Sequence, residues 1–227
     1  MSESKEKRHF SNVMRNTNSA FLPAQTALER PLRIGFVLLE HFSMMAFTAA
    51  VDALVTANLV HTAPLFSFTT YGLKGLTVKS DLGIDISANG ELDQLRLETA
   101  NELDILIVCG FRCTLAEYPP LTAKLKTAAL HNITLGGIWN GAIALAYAGL
   151  LDNQSCALHP DNHAFMREQF TRVKVSSQVC VLEDKRITCA GPVSALEMML
   201  KLVEQRQGKE ITRAIREILS CDQVAES

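Results

Sequence analysis

The sequence predicts an α/β protein, a three-layer sandwich with a mostly parallel central sheet. Two observations lead there. From Arg33 onward, short apolar runs of strand length alternate with longer amphipathic segments, the pattern of a parallel sheet covered by helices on both faces. The stretch Leu135-Gly136-Gly137-Ile138-Trp139-Asn140-Gly141-Ala142 then carries an apolar strand through a glycine-flanked turn straight into a small-residue helix.

Taken in order, residues 33–39 read as a buried strand with Ile34, Phe36, Val37, Leu38 and Leu39. After the loop Glu40-His41-Phe42, Ser43 caps a helix to about residue 58, with Met44, Phe47, Val51, Leu54 and Val55 at helical spacing. Residues 66–71 form a second strand, and 77–80 with 84–87 a hairpin around Asp81-Leu82-Gly83. Asp104-Ile105-Leu106-Ile107-Val108-Cys109 is a fully buried strand ending at Gly110. Pro119 or Pro120 opens a helix to about residue 131, and residues 133–138 feed the turn at Trp139. The small-residue helix is expected over 143–150. Short strands are expected at 155–158, 173–176 and 186–189, with a helix over 161–170. Gly191-Pro192 opens a helix with Val193, Leu196, Met199, Leu200 and Val203 on one face, closed by Gly208, and a last helix covers 210–219.

Composition sets bounds on function. The 227 residues are 48% apolar and 20% charged, with a formal charge of −2 and a pI near 6.3, so there is no general attraction to nucleic acid or anionic membrane. No run of 18 apolar residues exists to span a bilayer. Cys109, Cys113, Cys156, Cys180, Cys189 and Cys221 are scattered and mostly lie in apolar runs. In the absence of a secretory signal they read as buried thiols of a cytoplasmic protein. Cys109 and Cys113 are the one close pair, a spacing too weak to predict a metal site, and no metal or cofactor is expected. Residues 1–31 are polar and lack periodicity, so they are expected to be a disordered or loosely packed extension. One domain is expected over 32–220, with a short tail over 221–227.

The glycine-flanked turn has the form of an elbow that holds a nucleophile in α/β hydrolases and related enzymes. Glycines belong there because the backbone is strained and a Cβ would clash. Covalent chemistry needs Ser or Cys at the tip. Here the tip is Trp139, followed by Asn140, and neither attacks a carbonyl. In a parallel sheet, ligands gather at the carboxyl ends of the strands, where strand order reverses. The loops Glu40-His41-Phe42-Ser43, Gly110-Phe111-Arg112 and Trp139-Asn140 leave such ends, and Leu158-His159-Pro160 is a candidate fourth wall.

Residues 136–151, Gly-Gly-Ile-Trp-Asn-Gly-Ala and then Leu-Ala-Tyr-Ala-Gly-Leu-Leu, resemble the elbow of the class I glutamine amidotransferase-like, PfpI-type superfamily. Within it they resemble the sensor domain at the N-terminus of many AraC-family transcriptional regulators. Three further stretches agree: Phe42-Ser43-Met44-Met45-Ala46-Phe47 with Ala57-Asn58; Cys156-Ala157-Leu158-His159 with Phe165 and Phe170; and Thr188-Cys189-Ala190-Gly191 running into Ala195-Leu196-Glu197-Met198-Met199-Leu200. The resemblance covers about residues 33–219 and implies a flavodoxin-like fold. It also implies a Cys at the position of Trp139 in the superfamily's enzymes, often helped by an acidic residue on the first helix. The matching stretch Met44-Met45-Ala46-Phe47 holds no carboxylate. His159 matches a histidine partner, but its nucleophile is missing.

The resemblance therefore implies a non-catalytic sensing domain, dimeric, for a small nitrogenous effector such as an amino acid or betaine. DNA would be bound only through a helix-turn-helix module, and residues after 219 are too few to form one. The candidate ligand-binding residues are Trp139, Asn140, Arg112, Glu40, His159 and Phe111. An indole face attracts a cationic group, Asn140 donates and accepts hydrogen bonds, Arg112 offers a fork for a carboxylate, and Glu40 a counter-charge for a cation. Each has an ordinary alternative: Trp139 as void filler, Asn140 as a residue tolerant of the strained turn, Arg112 and Glu40 as solvated charges, His159 as a structural histidine. A hydrolase or amidotransferase-like enzyme using an unrecognised thiol such as Cys109, and a non-binding oligomerisation module, remain open alternatives.

Overall fold

The computed structural model describes residues 30–61, 63–97 and 103–219. The expected extension up to residue 29, the expected tail at 221–227 and Cys221 lie outside the described residues. The first half of the chain forms β1 (Leu32–Leu38), α1 (Met44–Val60), β2 (Phe66–Gly72), the hairpin β3 (Thr77–Lys79) and β4 (Asp85–Ser87), and the two-residue β5 (Gly90–Glu91). The centre is β6 (Ile105–Cys109), α2 (Pro119–Leu130), β7 (Thr134–Ile138) and α3 (Gly141–Tyr147). Then come β8 (Ser155–Cys156), α4 (His163–Gln169), β9 (Lys174–Val175), the hairpin β10 (Cys180–Glu183) and β11 (Arg186–Cys189), α5 (Pro192–Gln207) and α6 (Lys209–Ile218).

The main sheet has seven strands in the order β10-β11-β7-β6-β1-β2-β5. All neighbours are parallel except β10 and β11. This is the mostly parallel, flavodoxin-like sheet expected from the alternation of apolar runs. The chain leaves β1 outward to β2 and later returns to β6 on the other side of β1, so strand order reverses there. The ends of β1 and β6, paired at Leu38 and Cys109, border the crevice where such sheets bind ligands.

Side-chain alternation divides the apolar residues into two cores. Along β6, Ile105, Ile107 and Cys109 enter the core shared with α1, α5 and α6. Leu106 and Val108 enter the opposite core, shared with α2 and α3. Buried on both faces, the central strands read as continuous apolar runs, as a covered parallel sheet requires.

Details depart from expectation where packing overrides spacing. Val55 was expected on the inner face of α1 but is exposed; Ala46, Phe47, Ala50, Ala53, Leu54 and Ala57 are buried instead. Alanines bring that helix close to its neighbours, so large apolar residues are not the guide to its inner face. Val193 points outward, 73% exposed, in the first turn of α5, while Met198 takes an inner position. The edge strands β5 and β10 were not expected: one is two residues long, and the other is the antiparallel partner of β11. The unpaired flank of β2 is partly capped by asparagines. The Asn58 amide donates to the Phe66 carbonyl and its oxygen accepts from the Phe66 N–H, while the Asn89 oxygen accepts from the Thr70 N–H.

At the amino ends of the strands, Arg30 grips Asp104 with both guanidinium nitrogens, at 2.7 and 2.9 Å. The same carboxylate accepts the Arg33 backbone N–H at 2.8 Å. Burial pushes the Asp104 carboxyl up, but the Arg30 and Arg33 hydrogen bonds and charges outweigh it and hold the group below its ordinary range. A carboxylate so depressed stabilises the fold above its unfolded value, and the contribution is lost as pH falls through the lower folded one. Asp104→Asn should therefore lower the urea midpoint at pH 7. The gap to the unmodified protein should close below roughly pH 4, near the unfolded carboxylate value; a gap constant from pH 7 to pH 3 would refute the ion-pair origin.

Candidate functional site

The elbow between β7 and α3 is present and strained. Trp139 sits at φ 56°, a left-handed conformation rarely adopted by a bulky residue. The reason is a close approach of helix to sheet. A Cβ on Gly141 would fall 1.9 Å from the Val108 carbonyl oxygen, and one on Gly137 would fall 2.6 Å from the Ala142 backbone. Only glycine fits at both places, and the chain must turn sharply between them.

Four of the expected site residues form one stack. The His159 ring lies parallel to the indole of Trp139, centroids 4.5 Å apart and planes 11° from parallel. Phe111 packs against the same indole at 4.1 Å and 54°, and the Arg112 guanidinium lies 5.3 Å from the Phe111 centroid. The indole is part-buried. The Asp161 N–H approaches Nδ1 of His159 at 3.4 Å, fixing the ring from its own loop. The stack joins the loops after β6, β7 and β8.

The other two expected residues face a neighbouring cavity of ≈ 100 Å³, well above the roughly 10–15 Å³ that admits one water. Glu40 and Asn140 line it together with Leu39, Leu121, Ile143, Cys113, Tyr118 and Tyr147. Asn140 is buried. Its amide donates to the Phe111 carbonyl, and its oxygen accepts from the Asn162 amide. Tyr147 donates its hydroxyl to the Leu115 carbonyl at 3.0 Å. Cys113, Tyr118 and Tyr147 were missed as site residues. Tyr118 precedes Pro119-Pro120 and Tyr147 interrupts a run of small residues in α3, which are weak signals for a pocket.

The thiols near the elbow are buried or half-buried. Cys109 is buried in the core, and burial together with neighbouring Cys189 pushes its thiol well above the ordinary value. Burial pushes Cys189 up to about 12, against a hydrogen bond from Ser194. At Cys113 burial again raises the thiol, opposed by hydrogen bonds from the Phe111 backbone and the Asn140 side chain. Reactive cysteines need the opposite, an exposed thiol with a lowered pKa. No helix among the described residues is long and apolar enough to cross a membrane.

A strained strand–turn–helix at the switch point of a flavodoxin-like sheet defines a PfpI-type domain. Residues 32–205 match the DJ-1/PfpI family, and the chain belongs to that family. Its curated relatives include transcriptional regulators of helix-turn-helix type and a glutathione-independent glyoxalase of Caenorhabditis elegans. It is 31% identical over 198 residues to the HTH-type transcriptional regulator GbdR of Pseudomonas aeruginosa, covering 86% of this chain and 52% of the relative. To the HTH-type transcriptional regulator CdhR of the same species it is 32% identical over 183 residues, covering 80% and 53%. The chain thus spans about half the length of these curated relatives. Among solved structures, the crystal structure of an AraC family transcriptional regulator from Pseudomonas putida superposes with a TM-score of 0.77 at 42% identity, covering 83% of this chain and all of the other.

Two outcomes test this geometry. Alanine at position 139 keeps the left-handed strain whereas glycine relieves it, so Trp139→Gly should be more stable than Trp139→Ala by about 1 kcal/mol in urea unfolding. The usual order, alanine above glycine, would show that the turn holds no strain. Treated with iodoacetamide at pH 8, folded protein should leave Cys109 and Cys189 unmodified by peptide mass mapping, since both thiols are buried and burial disfavours the reactive thiolate. Rapid native labelling of either would contradict their burial.

Proposed function

We propose that this chain is the small-molecule-sensing part of an AraC-type transcriptional regulator, acting in the cytoplasm as a homodimer and without catalysis. The observation that carries this reading is the elbow tip. Trp139 stands where covalent chemistry would need Ser or Cys, its indole is packed against Phe111 and His159, and the thiols near it are raised rather than lowered. The strained scaffold is kept while the chemistry it serves in enzymes is absent. A cavity opens beside it, which favours a ligand-binding role over an inert oligomerisation module. The relatives named as transcriptional regulators support the same reading.

The effector is a small nitrogenous metabolite, an amino acid or a betaine. It is held at the carboxyl ends of β1, β6 and β7, where Glu40 and Asn140 meet the cavity and Trp139, Phe111, Arg112 and His159 brace the loops around it. DNA is contacted through a helix-turn-helix module, and this chain supplies the signal.

Thermal unfolding against a panel of amino acids and betaines tests the proposal. A true effector at 100 times its dissociation constant adds about 2.7 kcal/mol, which for a chain of this size raises Tm by roughly 5–10 °C. A flat response to the whole panel would sink the sensing role.

A further inference from the structure

We infer that the cavity beside the elbow takes its ligand cation first, with Glu40 as counter-charge and Tyr118 and Tyr147 as aromatic walls, and leaves any carboxylate of the ligand at the mouth. This rests on the sensing role proposed above and adds which end of the effector the site reads.

The wall chemistry is one-sided. Among the described residues, no lysine or arginine lines the cavity, and Glu40 is the one charged residue that does. Two of the neutral polar side chains on the wall are engaged already. Both ends of the Asn140 amide have partners, and the Tyr147 hydroxyl is bound to the Leu115 carbonyl. Leu39, Leu121 and Ile143 supply apolar surface. A carboxylate entering such a space would lose its hydration with no cationic partner on the wall and would share the cavity with Glu40.

An ammonium meets the opposite conditions. It gains the Glu40 carboxylate, which is exposed and has no ion-pair partner among the described residues. The rings of Tyr118 and Tyr147 line the same cavity, and the quadrupole of an aromatic ring attracts cations. The chain itself shows this attraction: the Lys74 ammonium lies 5.4 Å from the centroid of the Tyr118 ring. Lys74 is exposed and does not itself line the cavity. Alkylated ammonium groups suit the apolar part of the wall, because they offer fewer N–H donors to leave unpaired.

The test uses choline and its neutral isostere 3,3-dimethylbutan-1-ol, which share a shape and differ in charge. Glycine betaine adds a carboxylate to the same head. Trp139 is the single tryptophan of the chain and immediately precedes Asn140 on the cavity wall, so its fluorescence can report occupancy alongside calorimetry. Choline should bind the full chain at least tenfold more tightly than the isostere, and Glu40→Gln should weaken choline and glycine betaine alike by fivefold or more. Tyr147→Leu, which keeps the apolar bulk but removes the ring, should weaken both as well. Equal binding of choline and its isostere, or unchanged affinities in Glu40→Gln, would overturn the inference. If a compound of the amino acid and betaine panel still stabilises the protein in that case, sensing stands and only the cation-first assignment falls. If nothing in either set binds, both fall together.

Discussion

The contact on which this site depends is the approach of α3 to the sheet. Gly141 lies so near the Val108 carbonyl, and Gly137 so near Ala142, that neither tolerates a Cβ. With the helix seated that closely, the chain must reverse within Ile138, Trp139 and Asn140, and Trp139 is driven to positive φ. The strain belongs to the backbone and not to the residue at the tip. Such strain persists only when the surroundings over-determine it, and here they do. The Trp139 N–H is bound to the Cys189 carbonyl and the Gly110 N–H to the Ile138 carbonyl, tying the turn to the strand end on each side.

Bonds of the same kind tie this turn to the neighbouring loops. The Arg112 N–H donates to the His41 carbonyl, and Phe42 forms backbone bridges to both Ser80 and Phe111. The loops after β1 and β6, the β3–β4 hairpin and the elbow are thus one hydrogen-bonded cluster. Asn140 joins the aromatic stack to the cavity, because its amide holds the Phe111 carbonyl while its side chain lines the pocket. A cation settling against Glu40 would press on a framework that already links four strand ends.

Much of this was legible in the sequence, for identifiable reasons. The central strands are buried on both faces, so Ile34 to Leu38 and Ile105 to Cys109 stood out as unbroken apolar runs. The elbow was legible because steric exclusion leaves only glycine at 137 and 141. The helix faces were harder. Alanine forms the inner side of α1 and Val193 projects outward, and neither follows from a count of large apolar residues. The edge strands β5 and β10 carry few residues and so little pattern. The site divided in the same way. The stack of Phe111, Trp139 and His159 comes from loops at strand ends, where the topology told us to look. The cavity draws Tyr118 from the N-cap of α2 and Tyr147 from the last turn of α3, positions whose meeting is set by tertiary packing alone.

The borders of the sheet have a consequence of another kind. One border strand, β10, is four residues long, and at the other β5 covers only Tyr71 and Gly72 of β2. Side-chain amides of Asn58 and Asn89 occupy backbone groups of Phe66 and Thr70 that a visiting strand would need. Little continuous backbone is left to template another chain, the hazard that exposed edges otherwise carry. Another chain meeting these borders would have to engage side chains on helices and loops, whose identity evolution can tune. Strand addition, which accepts nearly any sequence, finds little continuous backbone to pair with there.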